Sequence, residues 1–196
     1  MKTIILSIAT VLLFTLTMST KSFAATTVLS DITNISQIEA HGNVEVYISN
    51  GETNNVKVYD SYYNQNALVQ EQNGTLRISS YKSEKLVVWV TTNSLSKVSA
   101  YDNAEIKSFG KLSAIDLSVT LNNNATAQLD LDVYSSKIAL NDNAKAKISG
   151  YAAQSNIELG QTARVSTLGL VVDEDTNKQS PIVMASMQDE DLAIIE

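Results

Sequence analysis

Four nine-residue stretches in the second half of this chain share one frame. They are Val98–Ile106, Val119–Ala127, Ile138–Ala146 and Ile157–Val165. Each runs apolar–polar–apolar, then a polar triplet, then an alanine and a second alternating piece. The alanines stand at 104, 125, 144 and 163, so the steps are 21, 19 and 19 residues. A fixed period near 20, built of strand-like pieces, is the mark of β-coils that cannot bury their apolar face alone and stack to do so. The expected fold is therefore all-β: a right-handed parallel β-helix, or two-sheet β-solenoid, with coils of 19–21 residues.

Inside each coil the pattern has period two. Ile115, Leu117, Val119 and Leu121 alternate with Asp116, Ser118 and Thr120. After Asn122-Asn123-Asn124 the alternation resumes through Ala125, Ala127, Leu129, Leu131 and Val133. This reads as strand, tight polar turn, strand, each with one buried face. In the next coil Ile138 and Leu140 point inward, Asn141-Asp142-Asn143 turns, and Ala144, Ala146 and Ile148 point inward again. Lys145 and Lys147 point outward, and Ser149-Gly150 reads as a second turn at the far edge. Ala100, Leu121, Leu140 and Leu159 then form one inward column. The four frame alanines form another, where converging walls leave room only for a small side chain. Asn and Asp in the triplets tolerate left-handed backbone.

A weaker copy of the frame lies upstream at Ile38–Val46, with Val44 sixty residues before Ala104. Between them the pattern stays β but is less regular, and Gln72-Asn73-Gly74-Thr75 carries a hairpin turn signal. Residues 28–95 are expected to form an irregular N-terminal β cap, and 96–168 the regular coils, within one domain at 25–172. The acidic tail 173–196 contains the apolar island Ile182-Val183-Met184-Ala185, expected to cover the edge of the last coil. Docking of a partner is the alternative use of that tail.

Residues 1–24 read as a signal peptide: Lys2, an apolar run from Ile4 to Met18, and small residues at Ser22 and Ala24 before a cut at Ala25. The run is short for a membrane span, which needs about 20 residues. The chain is thus expected in the periplasm, on the outer cell surface or secreted. It has no cysteine, so packing and strand pairing must hold it together. The net charge is −7, and residues 173–196 hold seven acids against one base. No basic stripe is present to attract nucleic acid or an anionic membrane.

The phrase Ile35–Ile48, the strand Asn73–Ile78 and the stretch Val88–Ala100 resemble the head GIN domain family of putative autotransporter adhesins, exported proteins of Gram-negative bacteria. The resemblance covers roughly residues 30–168. It implies a two-sheet parallel β-superhelix and an adhesive role, with no catalytic residues to carry over. Family members usually have Gly-Ser-Gly-type turns where this chain has Asp102-Asn103-Ala104, Asn122-Asn123-Asn124 and Asp142-Asn143-Ala144.

The residues offer little catalytic chemistry. His41 is the only histidine, so a multi-histidine metal site is excluded. Asp102, Asn123 and Asp142 hold equivalent turn positions and read as a turn ladder. A weak site for a hard cation is the other reading of that column. Carbohydrate-cleaving β-helices need carboxylates grouped on one face. Here the outward lines are mixed, Glu105, Thr126, Lys145, Arg164 and Lys107, Gln128, Lys147, Ser166. The densest aromatic cluster is Tyr59, Tyr62 and Tyr63, whose flat rings and polar tips suit a binding surface. Trp89 faces away from Val88 and Val90, as a second covered face or an exposed anchor. The expected function is an exported binding or adhesion module, without catalysis, metal or cofactor. Its partner would be a protein or glycan at the cell surface, with homo-oligomers left open. A structural periplasmic solenoid with no ligand is the first alternative, and a carbohydrate-active enzyme the second.

Overall fold

The structure, a computed structural model, describes residues 26–29, 34–59 and 67–175. The signal segment, Tyr62, Tyr63 and the tail beyond Asp175 lie outside the described residues. Among those described the chain is all-β, with no helix: thirteen strands join in one continuous, curled sheet.

Three long strands carry the regular frames: β9 (Glu105–Leu121), β10 (Thr126–Leu140) and β11 (Lys145–Leu159). They pair in parallel, and residues at the same point of the sequence frame are Cα partners. Thr126 lies opposite Glu105 and Lys145, and Lys145 opposite Arg164 of β12 (Arg164–Ser166). The expected inward column exists too: Ala100, Leu121, Leu140 and Leu159 are successive partners. Ala104, Ala125 and Ala144 have no solvent exposure. Burying a side chain such as Leu121 or Leu140 is worth about 1.5–3 kcal/mol, and each rung supplies several.

The upstream copy of the frame is a direct neighbour of the first regular rung. Strands β2 (Gln37–Gly42) and β3 (Val44–Asn50) pair in parallel with β8 (Lys97–Ala100) and the start of β9. Their offset is 60 residues: Ile38 faces Val98, and Glu45 faces Glu105. Chain order and stacking order differ here. Strands β6 (Thr75–Ser80) and β7 (Leu86–Thr92) come later in sequence yet pair on the other side of β2 and β3. Beyond them the pairing turns antiparallel: β4 (Asn55–Tyr59) lies on β7, β1 (Thr26–Leu29) on β4, and β5 (Ala67–Gln72) on β6. The β5–β6 hairpin turns at Asn73 and Gly74, both with positive φ, as the Asn-Gly pair predicts.

Three expectations change. Ser149-Gly150 is not a turn between two strands. β11 runs on through it, bending at Gly150, where φ is 99° and an added Cβ would sit 2.0 Å from the Leu131 carbonyl oxygen. The backbone therefore bends while keeping its ladder, which only glycine permits. Ile115 is 76% exposed rather than inward. Leu112 and Leu117 are both buried, an odd spacing, so the bend in β9 shifts the inward parity between them and turns Ile115 out. Leu159 keeps its column but is 37% exposed; among the described residues β13 (Leu170–Asp175), the next strand over, pairs with β11 from Gly150 to Ser155.

Candidate interaction surface

One outward face of the sheet carries charged and aromatic residues in two adjoining columns. Along its first column Tyr59, Val87, Glu45 and Glu105 are successive partners, followed by Thr126, Lys145 and Arg164. The second column runs Lys57, Trp89, Tyr47, Lys107, then Gln128, Lys147 and Ser166. The mixed outward lines read from the sequence are thus real rows. Strand alternation sends every second residue of each strand to this face.

Strand spacing sets the aromatic geometry. Neighbouring strands lie about 4.8 Å apart, and the rings of Tyr47 and Trp89 stack at 4.7 Å with a 20° angle between planes. Their faces are spent on each other, so they offer edges outward. Phe109 leans on Trp89 at 5.2 Å and 55°, and is 63% exposed. Phe109 therefore supplies the open ring. Tyr59, at the rim of the same face, is 37% exposed.

An ionic frame holds the Tyr47 ring. Lys107 Nζ donates to Glu45 Oε1 at 2.8 Å and lies 3.6 Å from Glu105 Oε2. The Tyr47 hydroxyl donates to the same Glu45 oxygen at 2.8 Å, and Lys107 sits 5.8 Å from the Tyr47 ring centre. Lys85 pairs with Glu105. Burial works against the charge on Glu45, yet the hydrogen bonds from Lys107 and Tyr47 and the nearby cations outweigh it. Its carboxyl is held below the usual value. The hydrogen bond to Glu45 raises Lys107 against the opposing effect of burial. The same carboxylate raises the Tyr47 hydroxyl, helped by burial. Further along the face Lys145, Lys147 and Arg164 stand exposed, with Lys145 and Arg164 directly opposite. Like charges placed so are mutually unfavourable. This part of the face is cationic on a chain of net charge −7.

The turn column lies at the edge of this face. Asp102, Asn123 and Asp142 all have positive φ, 60°, 58° and 54°. Their side chains reach to the neighbouring rung. Asp102 Oδ2 accepts the Gly42 N–H at 3.1 Å, Asn123 Oδ1 accepts the Asp102 N–H at 3.2 Å, and Asp142 Oδ2 accepts the Asn123 N–H at 3.0 Å. Flanking ladders run beside them. Asn141 Nδ2 donates to Asn122 Oδ1 at 2.9 Å, and His41 stacks on Tyr101 at 4.4 Å. His41 Nε2 also meets Glu39 Oε1 at 2.8 Å, and this hydrogen bond is the main reason the Glu39 carboxyl sits below its usual value. The two carboxylates of the column are separated by a whole rung, about 9–10 Å, whereas a calcium ion needs oxygens within about 2.6 Å of itself.

Of the sequence candidates, Tyr59 shares the face with Trp89, while Asp102, Asn123 and Asp142 form one ladder at its edge. Tyr47 and Phe109 were not singled out from sequence. The signal for Tyr47 is the 60-residue offset, which pairs it with Lys107; its pairing with Trp89 comes from β7 and has no such signal. Phe109 precedes the positive-φ Gly110, within the stretch between Lys107 and Lys111 where the register of β9 against β10 shifts.

Fold and face together define an all-β stacked-strand protein with an aromatic and charged outward face. The chain matches, over residues 34–178, the family described as "Putative auto-transporter adhesin, head GIN domain". The chain belongs to this family. Among solved structures it is similar to a putative adhesin from Parabacteroides merdae, with a TM-score of 0.65 and 15% identity, covering 79% of this chain and 77% of that one. A putative adhesin from Bacteroides fragilis gives 0.65 and 14%, covering 77% and 74%. A putative lipid binding protein from Parabacteroides distasonis gives 0.62 and 8%, covering 79% and 78%. At such identities the likeness shows the fold. No curated protein matches the chain.

Proposed function

We propose that this chain is an exported binding and adhesion module without catalysis, wound as a right-handed two-sheet parallel β-helix. Its contact surface is the outward face of Tyr59, Trp89, Phe109 and the cations Lys145, Lys147 and Arg164. The partner is a protein or glycan at the cell surface. The observation that carries the reading is the locked aromatic group: Phe109 is 63% exposed, yet it rests on the Tyr47–Trp89 stack. A rigid aromatic anchor brings contact area at little cost in side-chain entropy. The cationic rows beside it favour a partner bearing carboxylate, sulfate or phosphate groups. The right-handed winding is supported by the parallel pairing of successive rungs, since parallel crossovers are overwhelmingly right-handed. Export is supported by the family's description and by the Ser22-Phe23-Ala24 motif.

The test is a binding screen of the mature chain against acidic and neutral glycans and extracellular-matrix proteins, with turnover assayed in parallel. Binding without turnover supports the reading. Cleavage of any polysaccharide overturns it in favour of the enzyme. Binding that is lost in Tyr62→Ala/Tyr63→Ala and kept in Phe109→Ala moves the surface from the sheet face to residues 60–66.

A further inference from the structure

Among the described residues the sheet is covered by antiparallel strands at one end and open at the other. Antiparallel β4 and β5 cover β7 and β6. At the far end β12 pairs with β11 alone among the described residues, which leaves its outer row of N–H and C=O groups without a described partner strand. The apolar column is open there as well. Leu140 and Ala144 are fully buried, whereas Leu159 is 37% exposed and Ala163, Val165 and Leu170 are only partly covered. An open strand edge beside an uncovered apolar end is a template for one more strand.

The chain carries a segment of matching pattern and length. β12 is offset from β11 by 19 residues and β13 by 20. The same offsets applied once more bring Val165 to Met184 and Val172 to Leu192. These two residues lie within the apolar runs that follow Asp175, Ile182-Val183-Met184-Ala185 and Leu192-Ala193-Ile194-Ile195. Eight residues take the chain from Ser155 to Ala163 in the last described rung, and seven take it from Asp175 to Ile182. Residues 176–180 are polar, and Pro181, which has no N–H for a ladder, falls where Thr162 ends the turn below.

We propose that the C-terminal segment of this chain lays a further rung on the open end, with Ile182–Ala185 in parallel on β12 and Leu192–Ile195 on β13. Ile182 then covers Ala163, and Met184 covers Val165. The rung closes the edge that otherwise invites a second copy to add end to end.

Amide hydrogen exchange on the mature full-length chain tests this, with the mass in solution measured alongside. The expected result is at least tenfold slower exchange than a free peptide at 183–185 and 192–195 in a monomer. Met184→Asp, which sets a charge against Val165, should release that protection and leave β9–β11 protected. Free-peptide exchange rates at both runs in the monomer overturn the proposal. So does protection that appears only as concentration rises and the mass doubles, which makes a second copy the occupant.

Discussion

Asn123 Oδ1 accepts the backbone N–H of Asp102, 21 residues earlier in the chain, at 3.2 Å. The side chain of one turn thus completes the backbone of its neighbour. Asp142 repeats the contact to Asn123, and Asp102 repeats it to Gly42. The position asks two things of its residue: a tolerated positive φ and a short side-chain acceptor. Asn and Asp meet both.

Substitution at 123 separates the two demands. Asn123→Gly keeps the backbone freedom and removes the acceptor, and should cost about 1 kcal/mol, the usual net worth of a hydrogen bond. Asn123→Val adds β-branched strain at positive φ and should cost a further 1–3 kcal/mol or so. Denaturant midpoints at unchanged slope measure both. A glycine variant as stable as the parent would mean the ladder bond contributes nothing.

The same ladder bears on cations. Because the Asp102 and Asp142 oxygens are directed at backbone N–H groups, a chelator should shift the melting temperature by less than about a degree. A bound cation at a hundredfold excess over its Kd would contribute about 2.7 kcal/mol. A loss of several degrees with chelator, abolished in Asp102→Asn/Asp142→Asn, would identify a metal column instead.

The inner columns give a pair of opposite tests. Leu140→Ala leaves a cavity in a fully buried site and should cost about 2–5 kcal/mol. Ala144→Leu overfills the fully buried position just past the turn and should cost about 1–3 kcal/mol. An unchanged melting temperature for Ala144→Leu would contradict the narrow corner.

Much of this architecture is legible in the sequence, because alternation and period are local. The frame alanines, the inward leucine column and the left-handed Asx turns follow from residues that repeat every 19 to 21 positions. The bends do not. Ile115 follows the period-two pattern by sequence, yet the parity shift in β9 turns it outward. The order of stacking is also hidden: β2 and β3 lie between later strands, and only the 60-residue offset hints at it. The surface was half legible. Tyr59 and Trp89 are conspicuous alone, but Tyr47 and Phe109 join them through pairing across strands far apart in sequence.

The Glu45–Lys107 pair predicts a pH dependence. Glu45 is held below its ordinary value of 4.5, so its contribution to stability is present above that value and is lost as pH falls through the lower folded one. Lys107 is raised above 10.5, so its contribution is present below that value and is lost as pH rises through the higher one. The stability difference between the parent and Glu45→Gln should be flat from about pH 6 to 9 and shrink on acidification. A difference that grows in acid would contradict the assignment.

Export gives a simple check. Protein recovered from the cell envelope should begin at Ala25. An intact Met1 in the membrane fraction would mean that the apolar run Ile4–Met18 anchors the chain.

The affinity of Tyr59→Ala/Phe109→Ala for the glycan or matrix protein that the parent binds best decides whether the sheet face is the contact surface. Folding of the variant is confirmed first by its thermal unfolding. The expected result is at least a tenfold loss, about 1.4 kcal/mol, in a chain that unfolds as the parent does. Unchanged affinity in the folded variant would contradict a binding role for this face.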